Sequence, residues 1–165
     1  MREVNDADKL YYFQKSFFTL DGLWMLETEK EVGGQIALKI DKKVWIKLME
    51  IIFRRIKKYL SIETNSLIDL IEILTFRWSV EGWKYSINQT SGFEVNIKII
   101  ECPYKATMDR NPERKNKIPL ICNDFCIPFY NAIIGNFNPN IKIERNKFMG
   151  LGDNICNFHF REEIE

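Results

Sequence analysis

The hydrophobic pattern of this chain changes its period once, near Gly82. Before that glycine, apolar residues such as Leu10 and Phe13 recur every three or four positions, which predicts amphipathic helices. After it, apolar residues such as Tyr85 and Ile87 alternate with polar ones, which predicts strands. The change of period therefore divides the chain into a helical N-terminal half and a C-terminal half that contains a sheet.

The same pattern predicts an α+β fold in a single domain over residues 1–165. Helices are expected over residues 6–31, 37–60, 61–81 and 118–134, and strands over residues 83–87, 93–99, 141–144 and 155–160. The strands pair as two hairpins of an antiparallel sheet, with odd-numbered side chains of the first hairpin facing the core and the fourth helix inserted between the hairpins. Residues 108–117 are polar and are expected to form a loop.

Charge and hydropathy narrow the classes of partner. The chain has 24 Lys and Arg against 23 Asp and Glu, and a net charge of +1 provides no field that attracts nucleic acid. No segment is expected to approach the roughly 20 apolar residues that span a bilayer. The first six residues include acidic side chains where a signal peptide has an apolar run. We therefore expect a cytoplasmic protein with neither a nucleic-acid nor a membrane partner.

Four cysteines are the residues most suited to chemistry. Cys122 and Cys126 are four residues apart in the predicted fourth helix, so their thiols leave the same side of it. Such a pair can bracket a tetrahedral metal ion, or it can consist of buried thiols that pack a helix against a sheet. Cys102 follows the second strand, and Cys156 stands alone on the last one. The spacing leaves both interpretations open.

His159 is the only histidine, and it lies three residues from Cys156 on a predicted strand. Three is an odd number, so the two side chains point to opposite faces of the sheet. We therefore expect His159 to be a structural or surface residue. The sequence also lacks the glycine-rich motifs for dinucleotides and phosphates and the paired-histidine motif of zinc proteases.

Acidic residues of the first helix are the weak candidates for catalysis. Glu27 and Glu31 share a helix face, and Asp21 lies about one and a half turns earlier. Asp21 or Glu27 could serve as a general acid or base. The alternative is a solvated acidic edge.

Large aromatic residues are the second group of candidate functional residues in this chain, which has 12 Phe, 6 Tyr and 4 Trp. The tryptophans lie on segments that should pack together, and rings between helices and a sheet can line an apolar pocket. The candidate pocket residues are Trp24, Trp45, Trp78 and Trp83. Ordinary core packing explains most of the same pattern.

Two groups of short motifs, taken together, resemble a known family. They are Thr19-Leu20-Asp21-Gly22-Leu23-Trp24 with Gly33, Ala37 and Val44-Trp45, and Cys102-Pro103-Tyr104 with Asn138-Pro139 and Gly152-Asp153-x-x-Cys156-x-Phe158. This combination resembles the L-2-amino-thiazoline-4-carboxylic acid hydrolase-like proteins. The second group also resembles the end of the 4-vinyl-reductase domain, a small-molecule-binding module related to heme-nitric-oxide-binding and Golgi-transport domains. The resemblance covers about residues 17–160.

The resemblance to 4-vinyl-reductase domains implies a zinc site of three cysteines and a glutamate. Residue by residue, the matching positions are Cys122, Glu144 and Cys156. The motif has a further cysteine three residues after the glutamate, and this chain has Lys147 there, which is not a soft ligand. Cys126 or Cys102 would complete the site. The candidate ligands are therefore Cys102, Cys122, Cys126, Glu144 and Cys156.

The resemblance also implies a homodimer that binds a small apolar or aromatic ligand, and it does not imply catalysis. The expected function is thus a small-molecule-binding domain with a structural zinc ion. One alternative is a zinc-dependent hydrolase that opens a cyclic amidine such as a thiazoline, with Asp21 or Glu27 as its general base. The other is a structural protein-interaction domain.

Overall fold

The computed structural model describes residues 2–163 and confirms the α+β fold class. Three long helices precede the first hairpin: α1 (Asp6–Val32), α2 (Gly34–Leu60) and α3 (Leu67–Glu81). The strands are β1 (Lys84–Ser91), β2 (Glu94–Glu101), β3 (Ile141–Glu144) and β4 (Cys156–Glu162). Between β2 and β3 lie α4 (Pro103–Asp109), α5 (Pro112–Lys115), α6 (Ile118–Ile121), a π-helical turn (Cys122–Cys126) and α7 (Ile127–Phe137). A 3₁₀ turn (Met149–Leu151) precedes β4.

The described residues form two compact units, and the boundary along the chain lies in α2, between Asp41 and Lys42. The first unit contains α1, which begins with a capping box: the Asn5 side chain accepts a hydrogen bond from the Asp8 amide, and the Asp8 carboxylate accepts one from the Asn5 amide. Gly33 separates α1 from α2 and has a φ of 78°, a backbone conformation that glycine adopts without steric cost.

The second unit contains the antiparallel sheet, whose strand order is β1-β2-β4-β3. β2 and β4 are therefore the central strands, and Ile97 pairs with Phe158 and Val95 with Phe160. All four side chains are buried, so the odd-numbered positions of β2 face the core as predicted. Ile87 on the edge strand β1 and Phe93 just before β2 are exposed, and for these two residues the prediction is wrong.

The core of the second unit lies where α3 and α7 cover this sheet. Trp78 of α3 is fully buried, and its indole Nε1 donates a hydrogen bond to the Tyr130 hydroxyl of α7 at 3.1 Å. The Tyr130 ring meets Phe158 edge to face, with centroids 4.8 Å apart. A helix, a second helix and a central strand are thus joined through three aromatic side chains, an arrangement that combines apolar burial with a satisfied polar group.

Two sequence-based boundaries are wrong for reasons of local chemistry. The third helix begins at Leu67 and not at residues 61–64, because Ser66 caps it in a capping box with Asp69. The segment expected to be a loop, residues 108–117, contains the end of α4 and the whole of α5. Each of these short helices has proline in its first turn, where the missing amide costs nothing, and Cys102 or Asn111 as its N-cap.

The helical stretch Ile118–Phe137 also departs from the sequence analysis. It is three residues longer than expected, and by length and composition it is long and apolar enough to cross a membrane. The expectation that no segment approaches this length is therefore wrong. The stretch supplies Phe129, Tyr130 and Ile133 to the core, and 28% of its apolar window is buried. The fold is consistent with a soluble protein.

Candidate functional site

The structure brings the four cysteines towards one region from three parts of the chain. Cys102 caps α4, Cys122 and Cys126 stand at the two ends of the π-helical turn, and Cys156 begins β4. All four are free thiols. Burial is the main cause of the raised pKa of Cys102 and of Cys122, and the nearby sulfur atoms of Cys126 and Cys156 add to it, so each of these two thiols lies close to both of the others.

The π-helical turn that carries two of these cysteines has a local cause. Pro128 has no amide hydrogen, so the carbonyl of Asp124 lacks the donor that an α-helix would supply from four residues later. The Nζ of Lys42 donates to that carbonyl at 3.1 Å. The backbone widens, and the Ile127 amide donates to the carbonyl of Cys122, five residues back.

Backbone amides donate hydrogen bonds to three of the sulfur atoms. The Met149 amide lies 3.2 Å from the Sγ of Cys156 and the Lys105 amide 3.5 Å from the Sγ of Cys102. The amide of Gly150 donates to Cys122. Such donors satisfy a neutral thiol weakly and a thiolate strongly, because hydrogen bonds to charged acceptors are roughly twice as strong.

Gly150 is required by the approach of Cys122 to the 3₁₀ turn. It is buried, and a Cβ atom at this position would overlap the Sγ of Cys122 and lie 2.9 Å from that cysteine's Cβ. Only a glycine therefore allows this thiol to reach the backbone of the turn.

The fourth thiol, Cys126, accepts its hydrogen bond from Arg145, whose Nη1 lies 3.6 Å from the Sγ. Arg145 also donates to Cys156. Its guanidinium carbon lies 4.0 Å from the centroid of the Phe158 ring and 5.3 Å from that of Tyr130, so the cation is held by aromatic faces of the core. Arg145 therefore places one fixed positive charge beside two of the four sulfurs.

Burial keeps three of the thiols, those of Cys102, Cys122 and Cys156, neutral near pH 7. It raises the pKa of Cys102 to about 12 and that of Cys122 to about 11, and it also raises the pKa of Cys156. As the side chains stand, no three or more His, Cys, Asp or Glu residues within 2–163 form a group that could hold a metal ion. The cysteines converge without making a formed metal site.

Glu144, the remaining candidate ligand, is not brought to the cysteines. Its register partner on β4 is His159, and neighbouring positions such as Phe158 and Phe160 face the core on the opposite side. The carboxylate is exposed, and a hydrogen bond from Arg161 at 2.9 Å is the main cause of its lowered pKa. His159 lies on this outer face, as its spacing predicted, with Nε2 2.7 Å from the Glu94 carboxylate.

Three of the four tryptophans expected to line a pocket lie in the second unit, around a buried arginine. Arg77 of α3 is only 5% exposed and forms a salt bridge to Glu81 through Nε at 2.7 Å. Glu81 also accepts a hydrogen bond from the Trp83 indole, at 2.9 Å. The Tyr104 hydroxyl is 3.3 Å from Nη2 of Arg77, and the guanidinium carbon is 5.8 Å from the Trp45 ring centroid.

The other terminal nitrogen of Arg77, Nη1, is buried and has no hydrogen-bond partner among the residues that the structure describes. Burial opposes the charge on Arg77, but the adjacent Glu81 carboxylate holds its pKa above the ordinary value, so the guanidinium is charged. Trp78, the third tryptophan, stacks at a tilt on Trp83 with centroids 5.8 Å apart. This group of Arg77, Glu81, Trp45, Trp83 and Tyr104 is called the arginine–aromatic cluster below.

The remaining candidates lie in the first unit. Trp24 is on α1 and is 60% exposed. The Glu27 carboxylate is exposed and pairs with Lys30 at 2.7 Å, as in the solvated acidic edge. Asp21, also on α1, is half-buried. The assignment of Asp21 or Glu27 as a general base remains a prediction.

The sequence analysis missed several residues around the cysteines and in the arginine–aromatic cluster. Arg77 and Arg145 are single basic residues in a chain with 24 of them, and nothing in the sequence distinguishes a buried arginine from a solvated one. Gly150 lies in a Gly-Leu-Gly segment that suggested only a loop. Tyr104 stood in the quoted Cys-Pro-Tyr motif, which was a usable signal.

A family model described as a family of unknown function (DUF6125) matches residues 4–145, which is most of the chain. The chain therefore belongs to that family. No curated protein matches it. The family description assigns no activity, and the resemblance to 4-vinyl-reductase domains remains a prediction.

The contact between Gly150 and Cys122 predicts a sharp effect of one methyl group. Gly150→Ala should lower the free energy of unfolding by roughly 2 kcal/mol or more, because the new Cβ displaces the thiol or the turn. Gly135→Ala is the matched control, since a Cβ there meets nothing within 4 Å and should be neutral or stabilising. Urea unfolding monitored by circular dichroism measures both; equal midpoints for the two variants would contradict the contact.

The raised thiol pKa values predict that the metal-free protein loses stability in alkali. A thiol with a higher pKa in the folded state than in the unfolded state contributes stability in full below its pKa in the unfolded state, which is near 9. This contribution is lost as the pH rises towards and through the pKa of the thiol in the folded state. Between pH 8 and pH 10, the ionisation of Cys102 and that of Cys122 in the unfolded state should each lower the free energy of unfolding by about 1 kcal/mol. Urea titrations at both pH values should show a smaller loss in a Cys102→Ala/Cys122→Ala variant; an equal loss would show that other groups cause it.

Proposed function

We propose that the four cysteines of this protein bind one zinc ion, and that the ion has a structural role in a small-molecule-binding domain. The observation that carries the metal proposal is the convergence of four thiols, each with an N–H donor, from α4, the π-helical turn and β4. Soft thiolates are the ligands that zinc prefers in structural sites. Glu144 is not part of the proposed ligand set, because it lies on the outer face of the sheet.

Zinc binding at this position would change the ionisation of the site. Zinc is bound by thiolates, so Cys102, Cys122, Cys126 and Cys156 would hold the ion in their deprotonated form, and binding would release protons. Four thiolates around a dication carry a net charge of −2. Arg145 lies beside two of the sulfurs and would offset part of that charge, while the amides of Met149, Gly150 and Lys105 would strengthen their hydrogen bonds.

A structural ion agrees better with this geometry than a catalytic one. Four thiolates fill a tetrahedral zinc ion and leave no position for the water that a hydrolase needs. The proposed ion would connect the segment after β2 with the helical insertion and the last strand, and these elements are far apart in the sequence. Free thiols of this kind fit a reducing compartment, which supports a cytoplasmic location.

The zinc proposal predicts the composition of the purified protein. Protein prepared without chelators should contain one zinc ion per chain by plasma mass spectrometry, and zinc removal should lower the melting temperature. Cys156→Ser should lose the metal, whereas His159→Ala, on the same strand and facing outwards, should keep it. Equal zinc content in wild type and Cys156→Ser, or no zinc in the wild type, would show that the cysteines only pack the helix.

The small-molecule part of the proposal is supported by the arginine–aromatic cluster. A buried guanidinium nitrogen without a partner costs free energy, and an acceptor oxygen that reaches it regains that cost. The half-buried Trp83 and Tyr104 flank it, so a modest movement of either ring would admit a small ligand. The ligand that fits is an aromatic molecule with one oxygen acceptor.

Benzoate, benzamide and toluene are suitable probes of this cluster. Benzoate and benzamide should change the tryptophan fluorescence saturably, and toluene, which has no acceptor, should bind at least tenfold more weakly. An Arg77→Met/Glu81→Met variant removes both charges without leaving one buried alone, and it should abolish the difference between the probes. Equal binding of all three probes to the wild type would exclude a recognition role for Arg77.

A further inference from the structure

The arginine–aromatic cluster contains its own counter-ion. Nε of Arg77 donates a hydrogen bond to one carboxylate oxygen of Glu81 at 2.7 Å, and the Trp83 indole donates to the other oxygen at 2.9 Å. The side chain of Arg77 is 5% exposed and that of Glu81 is 12% exposed, so water screens the pair little. The charge of Arg77 is therefore neutralised before any ligand binds, by a carboxylate that two hydrogen bonds hold in place.

The guanidinium of Arg77 still lacks an acceptor. Its Nε engages Glu81, and its Nη2 lies 3.3 Å from the Tyr104 hydroxyl oxygen. Nη1 carries two more N–H groups, and it is buried without a hydrogen-bond partner within residues 2–163. A buried donor of this kind destabilises the protein until an acceptor reaches it. The cluster thus needs the lone pairs of an oxygen atom and does not need a second negative charge.

An anionic ligand would unbalance the charge of the cluster. A carboxylate beside Nη1 would place two negative charges on one guanidinium, and the site would carry a net charge of −1 away from water, which is costly. Glu81 cannot move away without also leaving the Trp83 indole. The phenol side chains of Tyr104 and Tyr130, which also act on Arg77, supply no second cation.

A hydroxyl group is also a poorer match for Nη1 than a carbonyl group. A hydroxyl brings a hydrogen that needs an acceptor of its own, and both carboxylate oxygens of Glu81 are already engaged. A carbonyl oxygen brings two lone pairs and no hydrogen. Among uncharged groups, a carbonyl therefore satisfies the donor without adding another unsatisfied group.

The rings around Arg77 favour an aromatic ligand. The Tyr104 ring meets Trp45 edge to face, with centroids 5.6 Å apart, and Trp83 at a tilt, with centroids 5.9 Å apart. Aromatic rings at such distances attract a further ring by burial and by the interaction of edges with faces. Trp83 and Tyr104 are half-buried, so a ligand can reach them from solvent. All members of the cluster lie in the second unit.

We propose that the ligand of this cluster is a neutral aromatic carbonyl compound, such as an aryl ketone, and that Glu81 excludes aromatic acids. The carbonyl oxygen accepts a hydrogen bond from Nη1 of Arg77, and the ring lies against Trp83 and Tyr104. The inference rests on the proposed ligand-binding role of the cluster and names the class of its ligand. It does not require the zinc ion.

Three probes of nearly equal size test the class of ligand: acetophenone has a carbonyl group, 1-phenylethanol a hydroxyl and benzoate a carboxylate. Isothermal titration calorimetry of the full chain at pH 7.5 should give acetophenone a dissociation constant at least tenfold lower than that of benzoate and at least threefold lower than that of 1-phenylethanol. Equal or tighter binding of benzoate or of 1-phenylethanol would overturn the inference and leave the proposed binding role intact. No saturable binding of any probe would remove the proposed ligand site, and the inference with it.

Glu81→Gln tests the source of the discrimination. The amide keeps the size of the side chain and removes its charge, so the carboxylate of benzoate can take over as the counter-ion of Arg77. The variant should bind benzoate more tightly than acetophenone, and benzoate should raise its melting temperature more than acetophenone does.

Glu72→Gln, at an exposed position of the same helix, is the matched control and should keep the wild-type preference. Circular dichroism shows whether each variant is folded. A folded Glu81→Gln protein that still prefers acetophenone would contradict the role of Glu81, and the wild-type ranking decides the inference if this variant does not fold.

Discussion

The hydrogen bond between the Trp78 indole and the Tyr130 hydroxyl is the contact on which the larger unit of this protein depends. It joins α3 to α7, and the rings that form it lie on Phe158 of a central strand. Removing either polar partner would leave the other buried and unsatisfied, which is more costly than losing the same bond at a surface. Packing and polar satisfaction therefore select one arrangement of the two helices over the sheet.

The cysteines are positioned by this same core. Tyr130 and Phe158 hold the Arg145 guanidinium between their faces, and Arg145 reaches the Cys126 thiol. The core thus fixes a cation next to a sulfur atom, although packing of an apolar core does not require a cation. This is the physical reason for regarding the cysteines as more than small packing residues.

The sequence predicted the elements whose pattern is regular and missed what depends on contacts between distant residues. Apolar spacing located α1, α2 and the central strand β2, and strand parity placed His159 on the outer face. It failed at α5, where polar composition suggested a loop, but Pro112 in the first turn and the Asn111 N-cap form a short helix. The roles of Gly150 and Arg145 could not be predicted, because they depend on contacts that exist only in the folded chain. Gly150 is approached closely by Cys122, and Arg145 lies against aromatic rings of the core.

The π-helical turn means that the chain carries one residue more than an α-helix would need between α6 and α7. A chain from which one residue of positions 123–125 was deleted could close the turn into a regular helix. All residues before it would then rotate by about 100° and shift by about 1.5 Å relative to α7. Cys122 would turn away from Gly150 while Cys126 stayed at Arg145. The function of this helical segment is therefore sensitive to insertions and deletions. In relatives of this chain, the number of residues between the two cysteines should vary less than the identities of those residues.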